Sequence, residues 1–448
     1  MLPVYDHRTR AGLSRCLADA FLAGDWNEDR LCIRAGEALT APRPRWIRPL
    51  VRAVLASYHR PPADRPRELA RFIAIQLELM PPSAQPVPRV RRWFVAELAM
   101  GRRRWPTPEL ASVGALAEWL GVGIGHLDWL ADARGLERTT AHERLRNYRY
   151  VWLPRAGGPP RLTERPKSRL KAIQRRLLHE LLDWIPAHEM AYGFTRGRSV
   201  RGHAAAHAGK YVVVRLDLED FFASVAAGRV FGVFRSAGYP EPVAHALTAL
   251  TTNAVPVEVW ASLARPRDRG LVGVHHRLGR RLATPHLPQG APTSPALSNL
   301  VLFTLDRRLA ALAAANRVTY TRYADDLTFS GPRSLLLGAD RFRSTVALIA
   351  RDEGFFVNGR KSALMTRAGR QRVSGVVVNE RPNVTRAEYD ELKAILHNAA
   401  RRGPSSQNRH GAADFRAHLL GRIAWVESLN PGRGARLRAR FERIAWDG

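Results

Sequence analysis

Cysteine and lysine are both scarce in this chain. Its 448 residues include two cysteines, Cys16 and Cys32, with no CxxC spacing and no matching histidine pair. Neither a disulfide framework nor a zinc site is supported, and we expect both thiols to be buried apolar groups. No apolar run reaches the roughly 18–20 residues that a membrane span needs. Asp6, Arg8 and Arg10 interrupt any signal-like segment at the amino end, so we expect a cytoplasmic protein without a membrane partner.

Lysine makes up only five of the 71 basic residues, and the others are arginine. Genome composition explains most of this bias. A retained lysine nevertheless marks a position where a compact ammonium group that can lose its proton has a use that guanidinium cannot fill. Lys167 and Lys361 are the two lysines that this consideration singles out.

Positive charge is what the chain has in excess. Its formal net charge is +31, its pI is about 11.4 and 45% of its residues are hydrophobic, which predicts a folded protein with two or three domains. A polyanion, nucleic acid first and an anionic membrane surface second, is the expected partner. Residues 144–176 hold eleven basic side chains against one acid, Glu164. This imbalance predicts a phosphate-facing surface, because a solvated helix face normally mixes signs.

Apolar spacing and breaker residues predict the order of the elements. Residues 1–140 read as helical, with proline-rich breaks at 41–45, 61–66 and 81–88 and a helix–turn–helix outline at 112–131 that is more typical of ordinary packing. Beyond them the pattern predicts two short strands around Gly157-Gly158, helices at 168–182, 296–312 and 340–353, strands at 211–217, 354–358 and 371–379, and helices from residue 385 onward.

Acidic residues stand at two predicted strand ends. The segments 318–322 and 327–330 predict a hairpin with Asp325-Asp326 at its turn. A bare Asp-Asp pair is usually a surface turn. Packed in an apolar setting, the two carboxylates would repel each other unless a cation such as Mg²⁺ or Mn²⁺ neutralised them. Asp217 ends the strand at 211–217, as a metal ligand or as a helix cap.

A loop rich in glycine and proline, Leu287–Pro295, lies between these acids and opens a predicted helix. Such a loop presents backbone N–H groups to a phosphate or a sugar. In that order, Asp217, the Gln289-Gly290 loop and Tyr323-Ala324-Asp325-Asp326 resemble the motifs of a reverse transcriptase palm.

More narrowly, the chain resembles retron reverse transcriptases, the bacterial enzymes that make multicopy single-stranded DNA. The stretches that carry this resemblance are 161–178, 192–199, 217–222, 287–295, 371–379 and 420–431. Two elements depart from the family pattern. His203 stands where the family has Asn in Asn-Ala-x-x-His, the element that ends here at His207, and Ser374 replaces Thr in Val-Thr-Gly.

The resemblance implies an α+β right-hand polymerase fold, with fingers, a palm whose antiparallel sheet carries the YADD hairpin, and a helical thumb. We expect an N-terminal helical extension at 1–140, fingers and palm at 141–382 and a basic helical thumb at 383–448. It also implies phosphoryl transfer with two Mg²⁺ ions, for which Mn²⁺ can substitute. Asp217 and Asp325 would bridge the ions, completed by Asp326 and the Leu218 carbonyl.

Further roles follow from the same resemblance. Phe222 matches the steric gate that excludes a ribonucleotide 2′-OH, although a lone phenylalanine is otherwise a core residue. Gln289 would support the incoming dNTP, and Arg161, with Arg155 or Lys167, would hold its triphosphate. Lys361 would donate a proton to pyrophosphate.

The implied partner is a structured non-coding RNA that serves as template and primer, with priming from the 2′-OH of an internal guanosine and a branched RNA–DNA product. An associated effector or toxin protein in an antiphage system is also implied. Two alternatives stay open. One is the reverse transcriptase of a group II intron or diversity-generating element, and the other is a mainly non-catalytic RNA-binding scaffold that restrains an effector.

Overall fold

A computed structural model describes residues 9–40, 45–79, 89–154, 160–264, 266 and 268–446. The breaks predicted at 41–45 and 81–88 fall almost entirely outside these residues, as do Gly157-Gly158 and Arg155. No helix among the described residues is long and apolar enough to cross a membrane.

Helices dominate the described residues. In chain order they are α1 (Arg10–Phe21), α2 (Glu28–Ala38), α3 (Ile47–Ser57), α4 (Pro66–Leu79), α5 (Val113–Leu120), α6 (Ile124–Leu130), α7 (Leu136–Thr139), α8 (Ser168–Glu180), α9 (Val200–Ala206), α10 (Ala227–Ser236), α11 (Glu241–Thr251), α12 (Val257–Ala261), α13 (Arg269–Leu282), α14 (Ser294–Val301), α15 (Phe303–Ala315), α16 (Arg333–Leu337), α17 (Ala339–Asp352), α18 (Arg386–Arg402), α19 (Phe415–Leu429) and α20 (Pro431–Phe441). The strands are β1 (Tyr148–Leu153), β2 (Arg161–Pro166), β3 (Val212–Leu218), β4 (Thr319–Tyr323), β5 (Asp326–Gly331), β6 (Val357–Thr366), β7 (Arg372–Val373) and β8 (Val376–Val377).

The chain forms two compact units. The first comprises Met1–Pro186 and Val225–Leu297, and the second comprises Ala187–Ser224 and Ser298–Gly448. In the first unit, α1 to α4 share one apolar core that includes Leu17, Phe21 and Leu69. The Thr9 side chain caps α1 by accepting a hydrogen bond from the Gly12 N–H.

Residues 91–111 are neither helix nor strand, so the prediction of helix throughout 1–140 is wrong here. The backbone N–H groups of Arg91, Glu97 and Gly101 donate to distant carbonyls, those of Ala38, Leu22 and Gly238. These long-range partners replace the local bonds of a helix, and apolar spacing cannot reveal them. The helix–turn–helix outline is confirmed as α5 and α6. Both pack through buried leucines, as the packing interpretation expected.

The first unit also contains the predicted pair of short strands. β1 and β2 are antiparallel, with Tyr148 opposite Pro166 and Leu153 opposite Arg161. The prediction of a helix at 168–182 is confirmed as α8, followed by a short 3₁₀ turn at Leu182–Trp184.

The second unit is built on a four-stranded antiparallel sheet in the order β4-β5-β3-β6. β3 is central, and Val212, Val213 and Val214 on it are fully buried. The predicted hairpin is confirmed as β4 and β5, which pair from Thr319↔Ser330 to Tyr323↔Asp326.

Three predictions for this unit need correction. The helix predicted at 296–312 is two helices, α14 and α15. They are interrupted at Leu302, whose buried side chain continues the apolar pattern and so hides the break. The strand predicted at 354–358 begins only at Val357 and runs to Thr366. The strand predicted at 371–379 is a tight hairpin, because Ser374 (φ 44°) and Gly375 (φ 88°) adopt the left-handed conformation of a two-residue turn.

The carboxy-terminal residues form α18, α19 and α20, which confirms the helical prediction from residue 385. Thr385 and Glu388 form a reciprocal capping box at the start of α18. Leu392, Ile423 and Leu437 of the three helices are buried in one apolar cluster.

Candidate active site

Three aspartates occupy neighbouring backbone positions at one end of the four-stranded sheet. Asp217 on β3 is the register partner of Asp326 on β5, and the Leu218 N–H donates to the Asp325 carbonyl at 2.9 Å. β3 continues one residue past Asp217, and the next helical turn begins only at Phe222. Asp217 therefore caps no helix, and its role as a metal ligand stays a prediction.

Two cations partly balance these acids. The Lys361 Nζ lies 3.0 Å from Asp217 Oδ2 and 3.4 Å from Oδ1. The Arg215 Nε is 3.7 Å from Asp326 Oδ1 and, although buried, makes no hydrogen bond. Burial raises the pKa of Asp326 to about 7. Arg215 opposes that rise, while the charges of Asp325 and Asp217 add to it. Burial and nearby like charges both disfavour the charged form of a carboxylate.

The ligand type fits a divalent metal ion, because hard cations such as Mg²⁺ prefer carboxylate oxygens. Among the residues that the structure describes, however, no three His, Cys, Asp or Glu side chains are gathered as a ready-made metal site. The Asp217 carboxylate is instead engaged by Lys361. These residues suit a metal in their chemistry, and holding one would require Lys361 to give up Asp217.

Lys361 reaches Asp217 through an irregularity in β6. Between the pairs Arg215↔Ala363 and Asp217↔Asn358, β6 takes five residue steps where β3 takes two. The Ser362 hydroxyl donates to the Asn358 carbonyl at 2.9 Å across this bulge. The bulge redirects a side chain near the carboxylates, as bulges commonly do. Sequence reasoning placed Lys361 just beyond a strand and missed the bulge.

A fully buried arginine underlies the turn of the hairpin. Arg322 Nε and Nη2 donate to the two carboxylate oxygens of Asp306 at 2.8 and 2.6 Å, and both side chains have zero exposure. Its Nη1 donates to Asn299 Oδ1 at 3.0 Å and to the Ala324 carbonyl at 3.1 Å. The Tyr320 hydroxyl completes the set by donating to Asp306 Oδ1 at 2.8 Å. The network ties β4 and the turn to α15, and no sequence motif signalled it.

His203 and His207 are fully buried behind the same hairpin. Thr321 Oγ1 lies 2.7 Å from His203 Nδ1 and 2.7 Å from His207 Nε2, and His207 Nδ1 lies 2.7 Å from Ser330 Oγ. Burial lowers the pKa of His203 to about 4 and that of His207 to about 3, so both rings are neutral near pH 7. Their partners are the hydroxyl groups of Thr321 and Ser330. Their burial also keeps both side chains from direct contact with RNA.

Phe222 opens the 3₁₀ turn Phe222–Ser224 after β3 and is half-buried. Its ring lies 5.2 Å from that of Phe221 and 6.3 Å from that of Phe194, measured between centroids. Phe222 is thus at the edge of the core rather than inside it, a few residues from Asp217.

The remaining candidate residues belong to the first unit. The Gln289 carbonyl accepts a hydrogen bond from the Glu164 N–H at 2.8 Å, and a Cβ on Gly290 would lie 2.8 Å from the Glu164 carbonyl. Only glycine fits this approach of the loop to β2. Arg161 is exposed at the start of β2. The Lys167 ammonium instead donates to the carbonyls of Glu143 and Arg144, at 2.5 and 3.3 Å.

Glu164, the lone acid of the basic stretch, is buried beneath this loop. Its carboxylate lies 3.0 Å from His286 Nε2 and accepts from Asn253 Nδ2 at 2.7 Å. Burial opposes a charge on His286, yet the charge and hydrogen bond of Glu164 raise the pKa of that imidazole. In the sequence, Glu164 stands out only as the single acid among eleven basic residues in 144–176. That isolation was the available signal of a structural role.

Comparison with known proteins identifies the family of the chain. Residues 153–394 match the family model described as reverse transcriptase (RNA-dependent DNA polymerase). Among solved structures the chain is similar to a foamy viral protease–reverse transcriptase in complex with double-stranded DNA. That match has 14% identity and a TM-score of 0.36, covering 88% of this chain and 55% of that one. The family model spans more than half of the chain, which therefore belongs to the reverse transcriptases and is an RNA-directed DNA polymerase with the right-hand polymerase fold.

Three curated relatives narrow the class. The retron Mx65 reverse transcriptase of Myxococcus xanthus is 41% identical, covering 75% of this chain and 73% of the relative. The retron Mx162 reverse transcriptase of the same species is 35% identical over 75% and 67% of the two chains. The retron Ec86 reverse transcriptase of Escherichia coli is 30% identical over 59% and 73%. Within the reverse transcriptases, the chain belongs to the retron group.

Proposed function

We propose that this enzyme copies a cognate structured non-coding RNA into multicopy single-stranded DNA by two-metal nucleotidyl transfer. The observation that carries the proposal is the register pairing of Asp217 with Asp326, with Asp325 in the adjoining turn. Retron relatives at up to 41% identity support the RNA-templated product. They also favour the retron over a group II intron or diversity-generating enzyme.

Asp217, Asp325, Asp326 and the Leu218 carbonyl would hold the metal ions, which we propose to be Mg²⁺ with Mn²⁺ as a substitute. Divalent ions supply charge neutralisation on the attacking and leaving oxygens of such a displacement. The raised pKa of Asp326 supports this assignment, because burial and the two neighbouring carboxylates disfavour its charged form and a bound cation would favour it. Lys361, whose Nζ lies 3.0 Å from Asp217 Oδ2, would exchange Asp217 for the leaving pyrophosphate and pass it a proton from Nζ.

Nucleotide selection is the next part of the proposal, taken residue by residue. Phe222 would exclude the 2′-OH, and Gln289 would support the dNTP from a loop whose backbone is fixed against β2. We assign the triphosphate to Arg161, which is exposed. Lys167 would contribute only after leaving the Glu143 and Arg144 carbonyls.

The RNA partner is supported by the charge distribution. The basic stretch 144–176 would contact RNA phosphates, with structured RNA recognised through its shape. In functional terms we propose an extension at 1–140, fingers and palm at 141–382 and a thumb at 383–448. Priming from a guanosine 2′-OH, a cytoplasmic location and an antiphage role with an effector protein complete the proposal, by analogy with the retron group.

The double substitution D325A/D326A tests the site. DNA synthesis on the cognate RNA with Mg²⁺ should fall at least a thousandfold, since the metal-holding carboxylates act only together, while RNA affinity is kept. D340A is the matched control, because the Asp340 carboxylate is fully exposed. Retained synthesis in D325A/D326A would refute the assignment. Branched RNA–DNA isolated from expressing cells tests the retron product independently.

A further inference from the structure

Phe194 is an exposed aromatic residue in a backbone conformation that aromatic residues rarely adopt. Its φ is +62° and 48% of its surface is exposed. A bulky residue in the left-handed region is a genuine outlier, and such outliers cluster at functional sites. Phe194 has no part in the roles proposed so far.

The surrounding loop is fixed against the catalytic turn. A Cβ on Gly193 would lie 2.6 Å from the Ala324 backbone nitrogen, so only glycine allows this approach. Asn299 Nδ2 donates to the Gly193 carbonyl at 2.9 Å and to Thr195 Oγ1 at 3.3 Å. Asn299 in turn accepts from the buried Arg322, which also holds the Ala324 carbonyl. The conformation at Phe194 is therefore imposed from both sides.

In this conformation the Phe194 ring lies near two other aromatic rings, those of Phe222 and Tyr323. Its centroid is 6.3 Å from that of Phe222, with an interplanar angle of 38°, and 6.5 Å from that of Tyr323, at 43°. Both separations are within the range of favourable aromatic pairs. Phe222 is packed against Phe221 as well, at 5.2 Å. The predicted gate ring thus has one neighbour that is buried and one that is exposed.

We propose that Phe194 is a specificity-determining residue, which holds the Phe222 ring in the orientation that excludes a ribonucleotide. This inference rests on the proposed gate function of Phe222. A gate that rejects one hydroxyl group must not rotate between side-chain rotamers, and a half-buried phenylalanine has that freedom unless its exposed side is also contacted. The strained backbone presents the ring on that side. An exposed ring gains little from burial, so packing alone does not account for it.

The test is the ratio of kcat/KM for dNTP over rNTP on the cognate RNA. F194N removes the ring and keeps the backbone, because Asn tolerates the left-handed region. We expect F194N to lower the ratio about three- to tenfold, the equivalent of one aromatic pair, and F194Y to keep the wild-type value. F222A should lower the ratio further. F194N/F222A should match F222A alone, because one residue acts through the other.

The outcomes separate the two ideas. An unchanged ratio in F194N, with a lowered ratio in F222A, overturns the role of Phe194 and leaves the gate standing. An unchanged ratio in F222A overturns the gate and, with it, the role of Phe194. Additive effects in the double variant would show that Phe194 does not act through Phe222, and would also refute the inference. F194L, which keeps apolar bulk without a ring, should behave like F194N.

Discussion

Arg322 and the pair Asp325-Asp326 belong to one β-hairpin, yet their charges are satisfied in different ways. Arg322 is completely buried, and its Nε, Nη1 and Nη2 groups all donate hydrogen bonds at 2.6 to 3.1 Å. At the turn, which we call the tip, the cations beside Asp217 and Asp326 are about one-third exposed, and the pKa of Asp326 is raised. The buried Arg322, which we call the base, is balanced by Asp306 of α15, whereas the carboxylates at the tip are only partly balanced by Lys361 and Arg215.

This difference separates stability from reactivity. A buried and fully bonded ion pair resists change, because removal of one partner leaves an uncompensated charge in the core. Carboxylates that are only partly balanced are stabilised when positive charge is added beside them. Removing one charge of the buried pair at the base should therefore destabilise the fold. Changing a residue at the tip should instead slow DNA synthesis.

The largest effect is expected at the base. D306A leaves Arg322 buried without its carboxylate, and should lower the free energy of unfolding by about 3–5 kcal/mol. Chemical denaturation measures this, with the exposed D340A as the control. D306L/R322M, which removes both charges, should lose less than D306A alone. If D306A kept wild-type stability, the buried ion pair at the base would not be needed for the fold, and the contrast with the tip would be wrong.

The next effect is expected at the tip. K361R keeps a cation beside Asp217 but cannot release a proton near neutral pH, and should lower kcat about a hundredfold. Its melting temperature should stay at the wild-type value, because the Lys361 side chain is about one-third exposed. Single-nucleotide incorporation measures kcat, and thermal melts measure the melting temperature. If K361R kept full kcat, the proton-donor role would be excluded.

The smallest effect concerns the neutral histidines behind the hairpin. The pKa of His203 is about 4 in the folded protein, below its ordinary value, so the unfolded chain takes up the proton first as the pH falls. The stabilisation that comes from keeping His203 neutral is fully present above about pH 6.5 and is lost as the pH falls toward 4. H203N should reduce the loss between about pH 6.5 and 4.5 by about 2 kcal/mol.

Denaturation at several pH values measures this reduction. H126N, at an exposed histidine, is the control and should follow the wild-type curve. Parallel curves for wild type and H203N would mean that His203 is not kept neutral by burial.

Sequence patterns predicted what depends on neighbours in the chain. The alternation in 318–330 and the apolar run before Asp217 located the hairpin, the central strand and the carboxylates. Spacing of three and four found α8, α17 and α18. The turn at Ser374-Gly375 could also have been predicted, because Ser-Gly is a turn dipeptide.

What sequence patterns missed depends on distant partners. Arg322 with Asp306, Glu164 with His286 and His203 with Thr321 are pairs separated by 16, 122 and 118 residues. No periodicity records such pairs. The bulge in β6 was missed for a related reason. A change in register depends on how β6 pairs with β3, and the sequence of β6 alone does not show that pairing.

The same bulge has a consequence for solubility. β6 is one edge of the sheet. The unpaired N–H and C=O groups of a regular edge strand can form hydrogen bonds with a strand of another molecule. The extra residues, among them the exposed Gly359 and Arg360, interrupt that row and add charge to it. The other edge, β4, is covered by the bridge between Ala191 and Arg322. One irregular strand thus brings a lysine to the carboxylates and helps keep the sheet from adding strands from another molecule.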